Sequence, residues 1–163
     1  MLKKLLIPLI IGGFVMLNGD AFASDKAEVQ TIIPAKDLKA TKGSDKIFTG
    51  DVTVTQLYPA NNEMRSSGGS VTFQPGARSN WHIHPVGQVL IITEGVGRTG
   101  EWGKPFQEVR KGDIVICPAG VKHWHGASPD SAMTHISICE EKEPGKVVEW
   151  MEKVTNEQYN RAE

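Results

Sequence analysis

Three histidines and a glutamine are set out in this chain in the spacing of β-strands. His82 and His84 are separated by a single residue, Ile83. Side chains alternate faces along a strand, so both imidazoles point the same way and Ile83 points the other. Gln88 has the same parity and returns to the same space after a short turn at Pro85-Val86-Gly87. His123 arrives from a second segment that opens with Pro118-Ala119-Gly120. Imidazole nitrogens suit Mn, Fe, Co, Ni, Cu and Zn, and an amide oxygen adds a hard neutral donor. His82, His84, Gln88 and His123 are therefore candidate metal ligands. Four protein donors leave open positions on an octahedral ion, and open positions are where substrates bind.

The texture around these residues is that of short strands. Residues 52–58, 69–73, 81–84 and 88–93 read as strands, and further short strands are expected at 97–102, 106–109, 114–117, 122–126 and 132–139. Turn signals separate them, among them Gln74-Pro75-Gly76, Glu94-Gly95, Lys111-Gly112-Asp113 and Ser128-Pro129-Asp130. Many short strands without intervening helices predict an all-β fold, a closed antiparallel barrel or double-sheet jelly roll. Only the tail has a different period. Val147, Val148, Trp150, Met151 and Val154 recur at helical spacing, which predicts a short amphipathic helix over 146–160.

The first residues carry an address rather than a fold. Met1-Leu2-Lys3-Lys4 is basic, the stretch to Leu17 is almost wholly apolar, and Ala21-Phe22-Ala23 is an A-x-A cleavage signature. A signal peptide over 1–23 is expected, with a periplasmic or secreted mature protein and no stable membrane span, because the apolar stretch is short. Cleavage would leave 140 residues with a net charge of −2. That chain length builds one domain with a real core, and that charge gives no reason to expect nucleic acid as a partner. Within it, 24–47 reads as an N-terminal arm, 48–140 as the barrel and 141–163 as a helical tail. Cys117 and Cys139 are expected to be small buried hydrophobes rather than a disulfide framework.

Residues 76–95 read G-x5-H-x-H-x3-Q-x6-G, and residues 112–123 read G-x5-P-x-G-x2-H. These resemble the two signature motifs of the cupin superfamily, small jelly-roll barrels that hold a metal. Gln88 stands where the family pattern has Glu, and Ala127 where it has Asn. A closer resemblance runs over about 48–159. Pro118-Ala119-Gly120-Val121-Lys122-His123-Trp124-His125-Gly126-Ala127, Ala132-Met133-Thr134-His135-Ile136 and the stretch 148–159 are similar to bacterial manganese-dependent cupin hydroxynitrile lyases. That resemblance implies Mn²⁺ held by His82, His84, Gln88 and His123, with Fe²⁺, Co²⁺, Ni²⁺ and Zn²⁺ as chemical alternatives. It also implies pocket histidines at His125 and His135, and reversible cleavage of an aromatic cyanohydrin such as mandelonitrile to aldehyde and hydrogen cyanide.

The residues agree with such chemistry. His125 shares a face with His123, and His135 points the same way from the last strand. A cyanohydrin needs a cation at its hydroxyl oxygen, a base for that proton and a donor for the departing cyanide. The metal, His125 and His135 can supply these, with His125 as proton acceptor and His135 as nitrile partner. Gly69, Val71 and Cys139 are expected to line a small-molecule substrate pocket, with Phe73, Leu90 and Ile92 as its apolar wall. The competing functions are a metal-dependent dioxygenase or oxidative-cleavage enzyme and a non-catalytic metal- or small-molecule-binding cupin. A homodimer or homotetramer is expected from the apolar face of the tail.

Overall fold

Alternation of inward apolar and outward polar residues puts two faces on every strand, and two such faces close on one another here. The computed structural model describes residues 29–162. After a 3₁₀ turn at Ala35–Asp37 come β1 (Ala40–Lys42), β2 (Phe48–Thr49), β3 (Val52–Tyr58), β4 (Ser66–Phe73), β5 (Arg78–Ser79) and β6 (His82–Ile83). They are followed by β7 (Gln88–Glu101), β8 (Phe106–Arg110), β9 (Ile114–Cys117), β10 (His123–Ala127), β11 (Met133–Glu140) and β12 (Glu149–Trp150), and then by the helix α1 (Asn156–Tyr159). All pairings are antiparallel. One sheet runs β1-β3-β4-β11-β7-β9, and the other runs β8-β7-β10-β5-β2 with β6 on β10 and β12 on β6. The all-β jelly roll expected from the punctuation is the fold observed.

One strand belongs to both sheets. The residues read as two short strands with a turn at Glu94-Gly95 form a single 14-residue β7. Its first half pairs with β9 and β11, and its second half pairs with β8 and β10. A register shift opposite Thr134 and His135 marks the bend. Gly95 makes the bend possible: its φ is +75°, and a Cβ there would lie 1.8 Å from the Ala132 carbonyl oxygen. The glycine turns the strand without ending it.

The tail departs further from expectation. No helix covers 146–160. Residues 149–150 form β12, and α1 is a single turn closed by a capping box: Gln158 N donates to Thr155 Oγ1 and Thr155 N donates to Gln158 Oε1. The reason is where the backbone groups go. Met151 N donates to Trp81 O, Trp81 N donates to Glu152 O, and Glu149 and Trp150 are laddered to Ile83 and His82. Tertiary pairing claims the groups a helix would have used. The apolar tail residues still find a core. Val154 and Tyr159 bury against Trp81 and Trp124, so that face is spent on the chain's own barrel. The stretch read as an arm also contributes structure, since β1 extends the first sheet and Asn80 N donates to Ile47 O. The signal peptide over 1–23 lies outside the described residues.

Candidate metal centre and cavity

The interior rows follow from the ladder register. Cys117, Gln88, Cys139 and Ser67 lie across β9, β7, β11 and β4 in one row. Val115, Leu90, Ser137 and Gly69 form the next, and Ile92, His135 and Val71 continue it inward. The opposite sheet supplies the remaining imidazoles: His82 on β6 is directly paired with His123 on β10, and His125 follows on the same face. His84 leaves β6 toward the same space. All five histidines are buried.

Each of the three candidate histidine ligands is held by a backbone carbonyl. His82 Nδ1 lies 3.0 Å from Asn80 O, His84 Nδ1 2.8 Å from Val147 O and His123 Nδ1 2.9 Å from Val121 O. A carbonyl can only accept, so each Nδ1 carries the proton and each Nε2 presents a lone pair. Those of His82 and His84 are buried without a partner. That of His123 faces Gln88 Oε1 at 3.0 Å, two acceptors pointed at each other. Lone pairs converging in a buried space are what a cation satisfies, and carbonyl-fixed imidazole tautomers are the usual support of metal-ligating histidine. The donor set of imidazoles and an amide oxygen thus fits a divalent metal.

Two geometric descriptions of the cluster differ in their third member. The ligand atoms of His82, His123 and His125 lie within 4.8 Å of one another. The His84 ring is as near to these two as the His125 ring is: it lies 5.2 Å from His82 and 5.7 Å from His123, against 5.1 and 6.1 Å for His125. The hydrogen bonds separate their roles. His84 has its tautomer fixed by a carbonyl, as His82 and His123 do. His125 is bonded instead through Nδ1 to His135 Nε2 at 3.2 Å, a partner that can take or give a proton. We therefore group His84 with the ligands and treat His125 and His135 as a coupled pair beside them.

Burial keeps these rings neutral. It pushes His82 and His125 well below the ordinary imidazole value, with the neighbouring His123 and His135 adding to the effect in turn. It lowers His84 and His135 to about 4, and lowers His123 as well. At neutral pH all five therefore act as lone-pair donors or proton acceptors.

A cavity of about 420 Å³ opens onto this cluster. His82, His84, Gln88, His125 and His135 form its polar end. Gly69, Val71 and Cys139 line it. Phe73, Leu90 and Ile92 do not. They are shut into the core with Met133 and Val109, because large side chains fill that flank while Gly69, Ser67 and Ser137 leave the β3-β4-β11 flank open. Phe73 instead packs its ring against His125 and His135, each 5.7 Å away. The sequence reading missed Ile47, Phe48, Val54, Val147, Val148 and Trp150 as lining residues. Trp150 lies 4.8 Å from the His82 ring and closes the cavity from the tail. No strand periodicity points to it, since it reaches the site by a crossover that only tertiary pairing creates. Cys117 and Cys139 are free and buried, one on either side of Gln88 in the ladder.

Comparison with known proteins accords with this architecture. Residues 69–139 match the cupin domain model. An (R)-mandelonitrile lyase of Granulicella tundricola is 49% identical over 120 residues, covering 74% of this chain and 91% of the relative. The chain belongs to the cupins. A cupin-like protein of Thermotoga maritima superposes with a TM-score of 0.70 at 44% identity, over 75% of this chain and 92% of that one. A cupin-2 domain protein of Rhodospirillum rubrum superposes at 0.58 with 21% identity, over 80% and 83% of the two chains, and shows the shared fold.

Proposed function

We propose that this cupin is a metal-dependent lyase that reversibly cleaves aromatic cyanohydrins of the mandelonitrile type to aldehyde and hydrogen cyanide. The observation that carries the reading is the coupling of two features in one buried cluster: three carbonyl-fixed imidazoles converging with Gln88 Oε1, and the His125–His135 pair beside them at the end of an apolar space. The name of the 49% identical relative, an (R)-mandelonitrile lyase, supports the reading. His82, His84, Gln88 and His123 would hold the ion. Mn²⁺ is the favoured occupant, since mixed imidazole and oxygen sites accept it. When bound, a divalent ion supplies Lewis acidity at the cyanohydrin hydroxyl oxygen. With Gln88 neutral, the charge of that ion is not offset by a carboxylate.

The chain's own groups handle the protons. His125 Nε2 is buried without a partner and accepts the hydroxyl proton. As the carbonyl forms, the bond to the nitrile carbon breaks and its electron pair leaves with cyanide. The proton returns from His125 to cyanide, giving neutral hydrogen cyanide. His135 holds His125 through the Nδ1 to Nε2 bond and faces the nitrile side of the cavity. Val54, Val71 and Val148 offer the aromatic ring an apolar wall, and the open space at Gly69 admits it.

The signal-like first residues support a periplasmic or secreted location. A homodimer or homotetramer is proposed as well, with a changed surface. The tail's Val154 and Tyr159 are buried, whereas Ile114 and Ile116 stand 63% and 73% exposed beside Val89, Ile91, Ile136 and Ile138 on the outer face of the first sheet. The functional test is mandelonitrile cleavage by the mature protein, loaded in turn with Mn²⁺, Fe²⁺, Co²⁺ and Zn²⁺, with metal content measured on the same samples. Release that depends on metal and is lost in His125→Ala supports the lyase. A fully loaded protein without release refutes it and directs the search to oxygen consumption or simple binding.

A further inference from the structure

We propose that Ser137 and Cys139 are positioning residues that decide which end of the Gln88 amide faces the histidines. The inference rests on reading His82, His84, Gln88 and His123 as the metal centre. The two ends of a glutamine amide have nearly the same shape and opposite chemistry, so their orientation is set by partners. Here Gln88 Nε2 donates to Ser137 Oγ at 3.0 Å and to Cys139 Sγ at 3.5 Å. Both amide hydrogens are thereby used, and Oε1 is left facing His123 Nε2 at 3.0 Å. Ser137, having accepted from the amide, has its own hydrogen free for Cys139 Sγ, 3.4 Å away. Ser137 Oγ and Cys139 Sγ thus both accept from the amide NH₂ and hold it on the β11 side.

The geometry is fixed by the backbone. Cys139 is the ladder partner of Gln88, and Ser137 lies two residues along the same inward face. The set is also specific to an amide. A carboxylate at this position would present two equivalent oxygens, and neither would need to be selected. With Gln88, loss of Ser137 lets the amide turn over and offer its NH₂ to the lone pairs of the histidines. That orientation opposes a cation.

The test is Mn²⁺ titration by calorimetry on the mature protein and on Ser137→Ala, Ser137→Thr, Gln88→Glu and the Ser137→Ala/Gln88→Glu double variant. Circular dichroism on each sample reports folding. Ser137→Ala is expected to weaken Mn²⁺ binding by about tenfold or more, the usual cost of removing a group that orients a ligand. Ser137→Thr, which keeps the hydroxyl, is expected to bind as the wild type does. In the Gln88→Glu background, Ser137→Ala is expected to change the Kd less than about threefold, because no orientation remains to be set. An equal loss in both backgrounds would mean general damage to β11 and would overturn the assignment. Unchanged binding by Ser137→Ala, with wild type binding normally, would overturn it while leaving the metal centre intact. A wild-type protein that binds no Mn²⁺ would overturn the metal reading itself, and this inference with it.

Discussion

Stripping the metal from this cupin should cost it far more stability than removing an ion from a surface site. The reason is the state in which it leaves the ligands. His82 Nε2 and His84 Nε2 are buried with no partner, and His123 Nε2 is opposed by Gln88 Oε1. A buried polar group without a hydrogen bond costs about 1–3 kcal/mol. Three such sites set an upper figure of several kcal/mol, and water entering the 420 Å³ cavity relieves part of it. About 3 kcal/mol should therefore separate chelator-treated from reloaded protein. For a domain of this size 1 kcal/mol moves the Tm by roughly 2–4 °C, so the expected rise on reloading is on the order of 6–12 °C. Scanning calorimetry on samples of known metal content measures it. His82→Leu, which replaces an orphaned acceptor with an apolar group of similar bulk, should abolish the rise. A Tm that stays within about 2 °C on reloading to full occupancy would refute the argument. So would an equal rise with Mg²⁺, which has little affinity for imidazole.

Two further outcomes concern the same site, and a third concerns the outer face of the first sheet. His135, held near 4 by burial, lies below the 6.5 of a free imidazole, so between these values the unfolded chain takes up a proton that the folded chain refuses. Metal-free protein should therefore lose stability as pH falls from about 6.5 to about 4, with His135 as one of five buried imidazoles that contribute. His135→Phe should remove its share and make that dependence shallower in urea titrations, and an unchanged slope would contradict the shift. Gln88→Glu should lower cyanohydrin cleavage and make a bound Mn²⁺ or Fe²⁺ easier to oxidise, read by voltammetry, because a carboxylate offsets the charge that favours the divalent state. No movement of the potential would remove the electrostatic argument for glutamine. Ile116→Lys should reduce the proposed dimer or tetramer to monomers in light scattering without altering Mn²⁺ affinity, and an unchanged mass would relieve the outer sheet face of that role.

How far the sequence speaks for itself depends on the range of the interaction involved. His82 and His84 are legible because strand parity is a local property. His123, His125 and His135 are legible because each lies on a short strand whose direction can be read from its neighbours. The jelly roll is legible from its turns. Gly95 misleads for a physical reason: glycine both ends strands and bends them, and only the partners at Ala132 and Met133 decide which. Leu90 and Ile92 have the parity of Gln88, yet they are not pocket wall. Parity assigns a face but not what covers it, and here Val109, Phe73 and Met133 do the covering.

The tail shows the same limit more sharply, and it bears on function. The spacing of Val147, Trp150, Met151 and Val154 satisfies a helix, but the structure uses those residues one at a time. Val147 gives its carbonyl to His84 Nδ1, Trp150 covers His82, and Val154 enters the Trp81–Trp124 core. A helix there would leave His84 without the acceptor that fixes its tautomer. The conformation of the tail and the chemistry of the third imidazole are therefore one requirement. Trp81 joins them, exchanging backbone hydrogen bonds with Met151 and Glu152 one residue before His82. A substitution that frees the tail, such as Val154→Asp, should thus lower metal affinity although Val154 touches no ligand.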